Sequence, residues 1–194
     1  LRGLAFALIK VQRWEHAETV TRSIEDNTQR AEALRDLAFA LTEAQHWEHA
    51  ERVWNEAEVA ARSTENSSRR AEALRGLAFA LIKVQRWEHA EAVTRSIEDS
   101  TQRAEALREI ATLSETERWE HAERVWNEAE VVTRSIEDSI QQAKGLRALA
   151  IALTKAQHWE HAERIWNEAE AVFRSMEDST QRAYVLRSLA VALT

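Results

Sequence analysis

Histidine and glutamate recur together in the phrase WEHAE, which begins at Trp14, Trp47, Trp87, Trp119 and Trp159. Imidazole nitrogen and carboxylate oxygen are donors that zinc or nickel accepts, so these positions are the first place to look for chemistry. His46 with His49, and His158 with His161, lie three residues apart, on neighbouring turns of a helix. The metalloprotease spacing HExxH is absent. One His recurring per unit would sit roughly 10 Å from its copies, one helix-pair layer away, which is too far to share an ion. The expectation is a solvated helix face and no metal site.

Ser, His and acidic residues also make up nucleophilic triads, but here they recur in every unit, whereas an active site is a single asymmetric constellation in a pocket. The 194 residues contain no Cys, which removes thiolate nucleophiles, disulfides and Cys-based metal sites together and suits a reducing compartment. No nucleotide-binding loop is present. The chain is expected to be non-catalytic and to carry no cofactor.

The elements that position these residues are repeats. A Leu opens each unit at Leu1, Leu34, Leu74, Leu107, Leu146 and Leu186, giving periods of 33, 40, 33, 39 and 40. Self-similarity of this kind marks stacked supersecondary units that bury their apolar faces on one another. The expected organisation is one array, 1–194, with repeats 1–33, 34–73, 74–106, 107–145, 146–185 and a partial 186–194. With no Pro and only three Gly, the punctuation that turns and sheets require is missing, so the chain is expected to be all-α.

Within a unit, Ala31, Leu34, Leu37, Ala38 and Leu41 fall at helical spacing and form the stripe of a first helix, A. A second helix, B, begins at WEHAE. Long units differ from short ones by the seven residues RVWNEAE, starting at Arg52. Seven residues are two turns with only ~20° of drift, so the insertion lengthens B without turning its buried face. Asp26, Asn66, Asp99, Asp138 and Asp178 are placed to cap the next A helix, with Gln102 three residues after Asp99 as a capping-box partner. The A-to-B turn, around Gln45-His46 and Gln85-Arg86, carries neither Gly nor Pro. The fourth unit lacks one residue in helix A, a rotation of ~100° that is expected to be absorbed near Ser114 to Glu117. The Trp residues are expected to plug the helix-pair packing at one slot in every unit.

Leu34-x2-Leu37-Ala38-x2-Leu41 followed by Trp47-x2-Ala50-x3-Trp54-x2-Ala57 resembles the tetratricopeptide pattern of large residue, Leu-Gly, Tyr, aromatic, Ala, Phe and Ala. The units from Leu107 and Leu146 repeat the match through Ala122 with Trp126 and Ala162 with Trp166. Short units place Thr21 and Thr94 at the second aromatic, and Ala replaces the usual Gly. The phrase RSIEDSTQRAEALRxLAxAL is similar to the tetratricopeptide-like arrays on the C-terminal side of bacterial signal-transduction ATPases. The resemblance implies a right-handed α-solenoid of antiparallel helix pairs, about eleven helices in five repeats and a terminal half repeat. It also implies a concave surface that faces a protein or peptide, and it transfers no catalytic residue.

On that alignment the residue after each opening Leu points into the groove, and it is always Arg: Arg2, Arg35, Arg75, Arg108, Arg147 and Arg187. Four residues later stand Phe6, Phe39, Phe79, Thr112, Ile151 and Val191. A guanidinium ladder beside an apolar one suits an extended peptide bearing carboxylates and bulky side chains. The simpler use of the same residues is an i,i+3 ion pair of Arg35, Arg75 and Arg108 with Glu32, Glu72 and Glu105. Further Arg columns, Arg22, Arg62, Arg95, Arg134 and Arg174, and Arg30, Arg70, Arg103 and Arg182, are flanked by acidic residues, and a net charge of −7 repels a phosphate backbone. Nucleic acid is therefore not the expected partner, and no apolar run approaches the ~20 residues that span a membrane. A cytoplasmic interaction scaffold or sensor module is expected, with a structural spacer or oligomerisation rod as the alternative. The chain begins and ends within helix A without a polar capping face, so association through the uncapped repeat ends is expected as well.

Overall fold

The computed structural model describes residues 1–114 and 119–175, and in the middle of the chain the side chains outside 113–121. The described residues form ten α-helices and no strand, so the fold is all-α. The A helices are α1 (Arg2–Lys10), α3 (Asn27–Glu43), α5 (Ser67–Lys83), α7 (Ser100–Ser114) and α9 (Ser139–Lys155). The B helices are α2 (Trp14–Arg22), α4 (Trp47–Arg62), α6 (Trp87–Arg95), α8 (Trp119–Arg134) and α10 (Trp159–Arg174). The eleventh helix expected at 186–194, together with Asp178 and Arg187, lies outside the described residues.

The chain divides into two compact units, Leu1–Gln102 and Arg103–Thr194. In unit 1 each A helix packs on its own B helix, α1 on α2, α3 on α4 and α5 on α6. Each B helix then leans on the following A helix, α2 on α3 and α4 on α5, while neighbouring A helices also touch. Ala at the contact positions permits the approach, and Leu fills the space between. Leu34, Leu37, Ala38 and Leu41 of α3 are buried with Ala50, Val53, Trp54 and Ala57 of α4. In unit 2 α9 packs on α8 and α10, and Leu146, Leu149 and Leu153 are buried with Ile165, Ala169 and Phe173.

The repeats serve as their own control for what stacking contributes. Leu37 and Leu77, on helices preceded by a helix pair, are almost completely buried, whereas the equivalent Leu4 on α1 is 52% exposed. Burying one Leu side chain stabilises by about 1.5–3 kcal/mol, so the apolar stripe needs its neighbours and a single helix pair does not satisfy it.

Four caps form where the sequence places them. The side chains of Asp26, Asn66, Asp99 and Asp138 accept from the backbone N–H groups of Gln29, Arg69, Gln102 and Gln141 at 2.8–2.9 Å. The A-to-B turn works differently from anything Gly or Pro would signal. Gln12, Gln45, Gln85 and Gln157 all adopt positive φ, between 57° and 65°. Around Gln45 the His46 N–H donates to the Leu41 carbonyl and the Gln45 N–H to the Thr42 carbonyl, which is the double closure of a Schellman turn. The same pair closes the turns at Gln12, Gln85 and Gln157.

The Trp expectation is corrected in part. Trp54 and Trp126, supplied by the seven-residue insertion, are fully buried, and Trp54 Nε1 donates to Thr42 Oγ1 at 3.2 Å. Trp87 is also buried. Trp47 and Trp159, by contrast, are 59% and 62% exposed, and Trp14 and Trp166 are half-buried. Trp47 and Trp159 are the first residues of their B helices, where fewer neighbours cover a large ring than two turns further in, although Trp87 at the same position of α6 is covered. In the fourth unit α7 ends at Ser114, two residues shorter in length than α3, and Glu115 to Glu117, where the missing residue was expected to be absorbed, lie outside the described residues.

Candidate functional site

Because α1, α3 and α5 are successive neighbours, one position per helix builds a row across them. The Arg–Phe columns form such a row in unit 1. Phe6 is 50% exposed, Phe79 is 42% exposed and Phe39 between them is half-buried, so the aromatic residues that sequence alone assigns to a groove do stand at the surface. Lys10 Nζ lies 4.8 Å from the Phe6 ring centre and Lys83 Nζ 5.2 Å from that of Phe79, within cation–π range.

Two Arg side chains of this row, Arg2 and Arg35, are tethered, and Arg35 does not form the expected i,i+3 pair with Glu32. Arg2 reaches across to Glu32 of the next A helix at 2.5 Å. Arg35 instead pairs with its neighbour Asp36 at 2.7 Å, and its guanidinium lies over Gly76 of α5, where a Cβ would stand 3.0 Å from Nη1. Gly76 thus leaves room for Arg35 to lie flat between two helices. Arg75 is half-buried or less in the same row, while Arg108, Arg147 and Ile151 are half-buried in unit 2 and belong to α7 and α9.

A second constellation, which sequence reasoning missed, joins successive B helices. His49 of α4 donates from Nε2 to the buried carboxylate of Glu18 on α2 at 2.9 Å. His89 does the same to Glu58 at 2.8 Å and His161 to the buried Glu130 at 2.7 Å. A carboxylate only accepts, so Nε2 carries the hydrogen in each case. The separation is 31 residues every time. The expectation of a solvated His face is therefore corrected at His49, His89 and His161, partly buried hydrogen-bond donors that lock one B helix to the previous one, while His16 and His46 are exposed as expected. His46 is not a ligand partner for His49 but lies edge-on to Trp14, with ring centres 6.1 Å apart.

Arg residues complete each of these contacts. Glu18 is held by Arg22 at 2.5 Å and Arg52 at 3.2 Å, Glu58 by Arg62 at 2.6 Å, and Glu130 by Arg134 and by Arg164 at 2.7 Å. Arg22 also grips Glu56 through two hydrogen bonds, and Arg134 grips Glu168 in the same way. Burial pushes the carboxyl of Glu18 upward, but the His49 hydrogen bond and the charges of Arg22, His49 and Arg52 outweigh it and hold the group below its ordinary value. Glu58 and Glu130 behave likewise: burial raises them, and their His and Arg partners more than reverse it. The hydrogen bonds that Arg134 donates to Glu168 push its value above the ordinary one, in spite of partial burial.

One of the Arg columns considered for a phosphate track is thus spent on carboxylates, at Arg22, Arg62, Arg95, Arg134 and Arg174. Among the described residues no group of three or more His, Cys, Asp or Glu is arranged to hold a metal ion, and no helix is long and apolar enough to cross a membrane. The sequence matches no protein-family model, and no curated protein is significantly similar to it.

Proposed function

We propose that the chain is a non-catalytic interaction scaffold or sensor module, a tetratricopeptide-like solenoid whose A-helix face forms the concave side and receives an extended peptide. The observation that carries this reading is the row Phe6, Phe39 and Phe79 on three adjacent A helices, with two of the rings 42–50% exposed. Aromatic rings kept in water on neighbouring helices form the kind of surface that partners cover. Arg2, Arg35, Lys10 and Lys83 border the row, so the complementary peptide carries bulky apolar residues interleaved with carboxylates. Backbone and charge contacts would set its register, while the aromatic row supplies most of the affinity.

The test is selection from a displayed random-peptide library, comparing the native chain with a Phe6→Ser/Phe39→Ser/Phe79→Ser variant of unchanged helix content. The proposal predicts enrichment of acidic sequences with Leu, Phe or Trp on the native chain, and their loss on the variant. Equal enrichment on both would contradict it.

A further inference from the structure

Arg22, Arg30 and Arg52 line a cleft of about 430 Å³ in unit 1, against an apolar wall of Leu34, Val59 and Ala60. The cleft lies among α2, the first turn of α3 and α4, and none of its lining residues belongs to the Phe row. Its volume falls in the range of small-molecule sites, roughly 300–1,000 Å³. Two carboxylates, Glu18 and Glu56, face the three guanidinium groups, and both are taken by Arg22 and Arg52. Arg30 donates only to neutral oxygens, the Ile24 carbonyl at 3.2 Å and the Asn27 side chain. One positive charge is therefore left over beside apolar surface.

Two other repeats neutralise or lack the charge at this position. At the equivalent position on α5, Arg70 bonds to the Thr64 carbonyl in the same way but also reaches Glu98 at 2.8 Å, which neutralises it. On α9 the position is Gln142, an uncharged side chain that donates to the Arg134 carbonyl at 2.7 Å. Gln142 thus reaches the carbonyl of Arg134 and not that of Ile136, the counterpart of Ile24, and the position accepts an uncharged side chain. Among these three equivalent positions, only Arg30 presents a cation with no carboxylate.

We infer that this cleft binds a small organic anion, a carboxylate or phosphate ester with a compact apolar body. The anionic group sits on Arg30, beside the exposed Arg52 that pairs with Glu18 at 3.2 Å, and the apolar body lies on Leu34, Val59 and Ala60. An anion with apolar substance gains from both halves of the cleft, whereas a bare ion gains from one.

The experiment is titration of the full chain with phenyl phosphate, benzoate, inorganic phosphate and benzyl alcohol, followed by NMR of the Arg30 Nε–Hε signal. The inference predicts saturable shifts with phenyl phosphate or benzoate, the tighter of the two assigning the headgroup, with inorganic phosphate weaker and benzyl alcohol silent. Arg30→Gln, which copies Gln142, should weaken binding about tenfold, the effect of losing one charge-assisted hydrogen bond. Val59→Glu, at an exposed helix position where folding is not at risk, should weaken it comparably by placing a negative charge in the cleft. An Arg30 signal that does not move, inorganic phosphate binding as tightly as the aryl anions, or unchanged affinity in both variants would overturn the inference.

Discussion

His49 on α4 donates to Glu18 on α2, 31 residues earlier, and the same separation joins His89 to Glu58 and His161 to Glu130. The contact ties one B helix to the next, and at Glu18 and Glu130 it places a carboxylate with almost no water access under an imidazole and a guanidinium. Such a group is stabilising only while all its partners are present, because removing them leaves a buried charge uncompensated.

Glu130→Gln should therefore destabilise unit 2 by about 1–3 kcal/mol at pH 7, the scale of a lost charge-assisted hydrogen bond. The folded-state value of Glu130 is lowered, so its contribution is complete above the ordinary carboxylate value of 4.5 and is lost as pH falls through the lower folded value. Denaturant midpoints of the native chain and Glu130→Gln should differ most near neutrality and converge below pH 4.5. A gap independent of pH would refute the linkage.

The two classes of Trp should part company. Trp54→Ala empties a buried site and removes the bond to Thr42, and should cost about 3–5 kcal/mol. Trp47→Ala and Trp159→Ala, at mostly exposed rings, should cost under about 1 kcal/mol. Thermal melts of the three variants decide it, and similar losses in all three would show that the rings share one role.

The positive φ of Gln45 and Gln85 stores strain that Gly would relieve. Gln45→Gly and Gln85→Gly should each stabilise by about 1 kcal/mol despite removing a side chain. A fall in melting temperature would mean that the Gln side chains contribute more than their backbone conformation costs.

Gly145 faces Thr133, whose Cγ2 would lie 2.8 Å from a Cβ at 145. At the equivalent positions Ala61 stands with Ala73, and Thr21 with Ala33. Gly145→Ala alone should destabilise or leave stability unchanged, the clash opposing a gain of about 1 kcal/mol in helix propensity. In a Thr133→Ala background the same change should stabilise by roughly that amount. Additive effects in the double-mutant cycle would show that the two residues do not interact.

The parts of the fold that were legible in the sequence are those set by local chemistry. Asp26, Asn66, Asp99 and Asp138 cap helices because a short polar acceptor before an apolar period has one use, and the A and B stripes follow from a 3.6-residue period. The surface placement of Phe6 and Phe79 was legible through the column they share. The Schellman turns were not, since Gln carries no preference for left-handed backbone, and only its recurrence at 12, 45, 85 and 157 marks the place. Nor was the burial of Trp54 against the exposure of Trp47, because both lie on one stripe and differ in distance from the helix end. The His–Glu contacts depend on how far one B helix is offset along the next, which no single helix encodes.

The most direct test of the binding face uses the four Phe residues of the chain, replaced together by 4-fluorophenylalanine. Phe6, Phe39 and Phe79 lie in the proposed groove, and Phe173, fully buried in α10, is an internal reference. In fluorine NMR, titration with an extended peptide alternating Glu and Leu should move the three groove signals in a saturable way and leave that of Phe173 still. Groove signals that stay fixed at saturating peptide, or a Phe173 signal that moves with them, would contradict an A-helix face built to receive a partner.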